Sequence, residues 1–284
     1  MYICRNFIKM RYLITIIFFL SIGFLRAQSA YDIFEKSRQR IEAAKNLSYY
    51  NVSQERINGS LHTEKSYIKL QRSPFLFYMK QLKEGGAEIL FNPSLSKKKA
   101  YVNPGTFPYI NLYLSPFGKI MREDAHHTIF QADIKYTYDV INKTLLRNKT
   151  KTSFKYIGKV KINNKIYYKL SLINTNYTIV NHIVKKGETI LSIAKNNLLS
   201  EYKILELNKD IGFYDDNIEG KKIKIPTFYA KSIYIYIAIK TYLPYLLKVS
   251  DEKGVFEIIN FKKLKLNLPF QKNEFLPSNR EYNY

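Results

Sequence analysis

The sequence predicts an α+β protein made mainly of antiparallel strands, with a compact β-α-α-β unit set into it. Three observations carry this. Alternating apolar and polar runs are separated by the two-residue turn signals Asn58-Gly59 and Asn163-Asn164, which mark hairpins. Helical spacing is confined to a few segments, chiefly 31–47 and the set Ile134, Tyr138, Ile141 and Leu145, each with one apolar face. Residues 183–226 pass from strand to two helices and back, and strand alternation then resumes at Ile233, Ile235, Ile237 and Ile239.

Taken in order, the chain opens with Arg5, Lys9 and Arg11 before an apolar run over 12–25, followed by the small residues of Ala27-Gln28-Ser29-Ala30. This is the pattern of a signal peptide over 1–28, cleaved near Ala27 to Ala30, and it implies an exported protein of the periplasm or outer cell envelope. The run is shorter than the ~20 residues a spanning helix needs, so a retained anchor is the lesser alternative and the protein is peripheral to a membrane at most. Cys4 lies ahead of the apolar run, where it cannot serve as the acylated cysteine of a lipoprotein, and no cysteine follows. Disulfides and thiol chemistry therefore drop out.

After the helix expected over 31–47, strands are expected over 48–57 and 61–72, joined at Asn58-Gly59, and then over 75–82, 87–91 and 100–102. The second helix is followed by a hairpin of 154–162 and 166–173. Beyond the inserted unit come strands over 232–240, 245–250 and 255–261, with a closing run at 264–268. Aromatic and β-branched stripes of this kind usually form a filled core.

The formal net charge is +23; the first 28 residues contribute four basic groups and no acid, and 178–227 holds eight basic against seven acidic residues, which leaves +18 for the flanking sequence. Such an excess favours anionic partners, and export makes nucleic acid the least suitable of them. The lysines are dispersed among Asn, Ile and Tyr, as AT-rich coding would give, and form no dedicated basic arm.

The inserted unit has the local signals of a small fold. Lys185-Lys186-Gly187 is a turn, Thr189 stands at an N-cap, and Ile190, Ile193 and Ala194 form an apolar face. Ser200 caps a second helix that stops at Asn208, and Gly220 turns the chain into Lys222, Ile223, Lys224 and Ile225 before Pro226. Val184, Gly187, Glu188, Thr189, Ile190, Ile193, Ala194, Leu205, Asn208, Gly220, Ile223, Ile225 and Pro226 together resemble the LysM module at its spacing throughout. The resemblance implies binding of peptidoglycan or a related N-acetylglucosamine-containing glycan in a shallow groove between two loops. It assigns contact to Gly187, Glu188, Thr189 and Ile190 on one side and to Asn208, Lys209, Asp210 and Ile211 on the other. The plain alternative is that Gly187, Thr189 and Asn208 only turn and cap the chain.

A second resemblance is carried by 54–59, 69–75 with Tyr78, and 85–91, which look like an uncharacterised family of secreted bacterial proteins. The ending, with 241–244, 251–254, Phe261 and 267–275, is similar to the last strands of the lipoprotein-carrier fold, LolA/LolB-like. This resemblance implies a curved antiparallel β half-barrel covered by helices, formed by 29–176 with 228–284 and holding the LysM module, 177–227, as an insert. It also implies a cavity for lipid or lipoprotein, or a surface for a protein partner.

Catalytic signals are few. His126-His127 after Arg122-Glu123-Asp124 invites a metal reading, but adjacent helical side chains diverge by about 100°, and no second cluster has ligand spacing. There is no nucleophile elbow, HExxH or phosphate loop. The expectation is a non-catalytic envelope protein without catalytic, metal or cofactor residues; the alternative is a cell-wall hydrolase, or its accessory subunit, targeted by LysM. The embedded position of the module, without a Pro/Gly/Ser-rich linker, favours the first.

Overall fold

The computed structural model describes residues 29–107, 109–147 and 152–284; the signal-peptide segment expected over 1–28 lies outside them. The fold is α+β, with an open, curved antiparallel sheet as its main body and few helices.

Helix α1, Ala30–Glu42, starts at a capping box in which Ser29 accepts from the Asp32 amide and Asp32 accepts from the Ser29 amide. Strands β1 (Asn46–Ile57), β2 (Ser60–Arg72), β3 (Phe75–Gln81), β4 (Glu88–Phe91), β5 (Ala100–Asn103) and β6 (Leu112–Leu114) follow as a meander. Next come a short helix α2 (Lys119–Arg122), a 3-10 turn at Ile129–Gln131, and α3 (Ile134–Arg147). Strands β7 (Thr152–Ile162) and β8 (Lys165–Asn174) lead into the small unit: β9 (Ile179–Ile183), α4 (Ile190–Asn197), α5 (Glu201–Leu207) and β10 (Lys222–Pro226). The chain returns through β11 (Ser232–Ala238), β12 (Pro244–Asp251) and β13 (Gly254–Leu266).

The sheet order is β6-β5-β4-β3-β2-β1-β13-β12-β11-β8-β7. Both Asn-rich turns close two-residue hairpins. Asn58 (φ 50°) and Gly59 (φ 86°) are left-handed between the paired Ile57 and Ser60, and Asn163 (φ 48°) and Asn164 (φ 61°) repeat this between Ile162 and Lys165. Two consecutive left-handed residues match the twist of the strands they join. β8 and β11 are neighbours in the sheet, so the β9-to-β10 unit occupies the connection of a single hairpin. At its stem the Thr227 amide donates to the Thr178 carbonyl and the Asn174 amide to that of Lys231.

Three boundaries differ from expectation. The first helix ends at Glu42 rather than 47, because Asn46 and Leu47 are captured by the sheet opposite Gln71 and Leu70, and the Asn46 side chain both donates to and accepts from the Leu268 backbone. The runs 255–261 and 264–268 form one strand through Leu266. Residues 267–275, compared above with closing strands, leave the sheet; with the rest of the C-terminal tail they fold back over its convex face. There Tyr282 stacks on Tyr78 at 3.7 Å, Phe275 joins the same buried cluster, and Lys69 lies 2.5 Å from Glu274.

The concave face is filled beneath the two long helices and partly beyond them, where Phe130 packs against Phe75 and Phe91. Phe34 of α1 stacks on Tyr138 of α3 at 5.2 Å and meets Phe154 edge-on, and with Ile33 and Ile41 they pack into the cluster that holds Leu170, Leu172 and Ile235. Over β1 to β6 the same face borders a cavity of about 750 Å³. Packed core thus runs beneath the two long helices, which contact β7 and β8 at the far edge, and the cavity opens beside it.

Candidate functional site

The small unit has its own core of Val184, Ile190, Ile193, Ile204, Tyr214, Ile223 and neighbours. Thr189 caps α4 by accepting from the Ser192 amide, while Ser192 accepts from that of Thr189; Ser200 caps α5 by accepting from the Lys203 amide. The two loops singled out in the sequence are tied to adjoining positions of the two-stranded sheet. Glu188 pairs with His182 at 2.8 Å, and Asn208 grips Lys224, accepting from its amide and donating to its carbonyl, each at 2.8 Å. His182 faces Ile223 and Lys224 faces Asn181 across the β9/β10 ladder. The Lys185 amide and then His182 hold the Glu188 carboxyl below its usual range.

The eight expected contact residues therefore divide. Ile190 and Ile211 are buried in the unit's core, and Asn208 is 6% exposed with its amide consumed by Ile204 and Lys224. Gly187, Thr189, Lys209 and Asp210 are exposed, and Glu188 is half-buried.

Residues 182–226 match the LysM domain family. No curated protein matches the chain. Similar solved structures include the lipoprotein LppX of Mycobacterium tuberculosis, 9% identical over 85% of this chain and 97% of that one with a TM-score of 0.41. A LolA superfamily protein from Nitrosomonas europaea is 10% identical over 88% and 98% with a TM-score of 0.32, and a conserved protein from Thermus thermophilus is 9% identical over 87% and 91% with a TM-score of 0.38. Likeness this distant carries no function over to the chain.

The LysM domain is locked onto the end of the main sheet through α5. Lys203, fully buried, places its ammonium 2.6 Å from Asp251, 2.7 Å from Glu252 and 3.0 Å from Glu206. Arg56 on β1 closes the same network, pairing with both Asp251 and Glu206 and donating to the Val255 carbonyl. Burial alone would raise the Asp251 carboxyl, but hydrogen bonds from Arg56 and Lys203 outweigh it and hold the group below its usual range; Glu206 is lowered against burial by the same two cations. Tyr202 enters the main core and accepts from the Asn58 amide at 2.9 Å, while Arg122 pairs with Glu201 at 2.6 Å and lies 3.6 Å over the Tyr214 ring.

Beside this junction the sheet presents a second polar cluster to the cavity. Glu55 on β1 and Glu257 on β13 are direct cross-strand partners, an arrangement that like charges disfavour. Donor atoms of Glu55, His127 and Glu257 all lie within 4.8 Å of one another. At that separation two carboxylates repel by about 3 kcal/mol at an effective dielectric of ~20, so positive charge is required nearby. His127 supplies it, with Nε2 2.8 Å from Glu257. Burial alone would lower the His127 imidazole; the Glu257 charge and hydrogen bond, with the charges of Glu55 and Glu201, instead raise it to about 9.

His126 completes the arrangement. Its amide donates to Glu55 at 2.7 Å, its Nδ1 faces Glu257 at 3.2 Å, and its Nε2–H donates to the Arg56 carbonyl at 3.0 Å. Its ring is stacked between Phe256 (4.1 Å) and Tyr202 of the LysM domain (4.5 Å). Tyr229 donates to the other Glu257 oxygen at 3.1 Å.

His126 and His127 stand out in the sequence but their partners do not, because Glu55 and Glu257 are far away along the chain and meet only through strand pairing. The one available signal was a single acid in each of two apolar, alternating runs. The cavity itself has apolar walls from Ile68, Phe77, Met79, Ile89, Val102 and Phe261 and a polar end at Glu55, Glu64 and His127. Burial, then the Glu55 charge, raises the Glu64 carboxyl. Exposed Phe107, Tyr109 and Ile110 lie on the connection between the cavity-lining Pro104 and β6, whose Leu112 and Leu114 also line the cavity, and the exposed Ile120 of α2 lines it too.

Proposed function

We propose that this is an exported cell-envelope protein that binds peptidoglycan, or a related N-acetylglucosamine-containing glycan, through its LysM domain and carries an apolar ligand in the half-barrel. The match of 182–226 to LysM is the observation that carries the glycan assignment. We assign the glycan to the exposed edge made by Gly187, Thr189, Lys209 and Asp210, with Glu188 beside them. Ile190, Asn208 and Ile211 support that edge from below. The chain works as a two-part unit, 29–176 with 228–284, holding 177–227 in one hairpin connection.

The role is one of binding, without catalysis. The 750 Å³ cavity supports lipid or a lipoprotein's acyl group as cargo, since each buried CH₂ contributes about 0.8 kcal/mol. Exposed Phe107, Tyr109 and Ile110, on the connection between the cavity-lining Pro104 and Leu112, support loading from an apolar surface. Because the LysM domain is clamped and not tethered, attachment to the wall also sets the direction in which the cavity faces.

Two measurements on the purified protein test this reading. It is expected to sediment with isolated cell-wall sacculi, less so after Lys209→Trp or Asp210→Trp, and to release lipid on solvent extraction. Failure to bind sacculi removes the glycan assignment, and a lipid-free extract together with no uptake of a fluorescent fatty acid removes the cargo assignment.

A further inference from the structure

We propose that Glu55, His127 and Glu257 form a binding site for a divalent transition-metal ion at the polar end of the half-barrel cavity. An imidazole nitrogen with two carboxylate oxygens is a donor set suited to zinc and its neighbours. Tetrahedral coordination at 2.0–2.1 Å needs donor separations of about 3.3–3.5 Å, and the three donors lie within 4.8 Å of one another with Nε2 of His127 2.8 Å from Glu257. Side-chain adjustments of about an ångström would bring them to an ion.

The outer groups that orient metal ligands are already in place. The His126 amide holds Glu55, and Tyr229 and the His126 ring hold Glu257. Glu55 and His127 border the cavity, which supplies both an entry path and an open coordination position.

An independent observation points to a ligand in the same cavity. Asn51 and Ser66 are cross-strand partners on the cavity wall, Asn51 on the same face of β1 as Glu55, and the Asn51 Oδ1 and Ser66 Oγ atoms are buried without a hydrogen-bond partner among the described residues. Buried oxygens of this kind are completed by ordered water or by a bound molecule. They lie four residues along β1 from Glu55, roughly 13 Å at about 3.3 Å per residue, so a molecule extending along the cavity, and not the ion's own water, would complete them.

The test is titration of tag-free, chelator-treated and delipidated protein with Zn²⁺ by calorimetry, with thermal melting alongside. One saturable site per chain is expected, with a higher melting temperature when zinc is bound. Glu55→Gln and His127→Gln should each weaken binding at least about ten-fold, and circular dichroism of each variant checks that the fold is kept. Absence of saturable zinc binding overturns the proposal, and so does binding that both folded variants retain unchanged. Because the protein is delipidated first, the result is independent of the cargo reading.

Discussion

Lys203 of the LysM helix and Asp251 at the end of β12 meet at 2.6 Å with their side chains 1% and 3% exposed. Two sequence-distant groups, neither placed at a site by local pattern, thus fix the orientation of the glycan module on the sheet. Removing one partner of a buried pair leaves an uncompensated charge and costs about 3–5 kcal/mol. Lys203→Met is therefore expected to destabilise the protein by at least about 3 kcal/mol in urea unfolding. An equally stable Lys203→Met would show that the junction does not bear on stability.

The same junction predicts acid sensitivity. Asp251 and Glu206 are both held below their usual range in the folded protein. Groups depressed in this way contribute stability above their unfolded values, about 3.9 for Asp and 4.3 for Glu, and lose it as pH falls through the folded ones. The protection factors of the α5 amides, corrected for the pH dependence of intrinsic exchange, are expected to hold from neutral pH to about 5 and to fall below about 4. Unchanged α5 protection down to pH 2 would contradict the assignment.

Asn208→Ala separates support from contact in the LysM domain. It removes hydrogen bonds to Ile204 and to both backbone groups of Lys224, at about 1–3 kcal/mol for the buried groups left unpaired. Loss of stability measured by denaturation should accompany any loss of sacculus binding. Lys209→Ala, at an exposed position, should weaken binding with stability changed by no more than about 0.5 kcal/mol.

Ser66→Ala probes the unpartnered hydroxyl on the cavity wall. Ser66 is fully buried and its oxygen has no partner among the described residues, so without a ligand the substitution should be neutral or stabilising by up to about 1 kcal/mol. If a bound molecule normally completes Ser66, ligand-loaded protein should lose thermal stability on substitution while ligand-free protein does not. Melting curves of the two forms make the comparison.

Much of the LysM domain and the hairpins was legible in the sequence because their signals are local. Thr189 and Ser200 cap helices within three residues of themselves, and Asn58-Gly59 and Asn163-Asn164 close turns that need consecutive left-handed residues. Each of these depends on backbone chemistry over a few positions, so the sequence by itself determined the module, its caps and the strand-rich α+β class. Tertiary structure decided the rest. Glu55 faces Glu257, Arg56 and Lys203 reach Asp251, and the tail folds over Tyr78, all through registers set by distant strands. Charged and aromatic residues in such runs read as solvated faces or ordinary core until the pairing is known. Burial then turns them into a clamp for the module, a polar end for the cavity and a cover for the convex face.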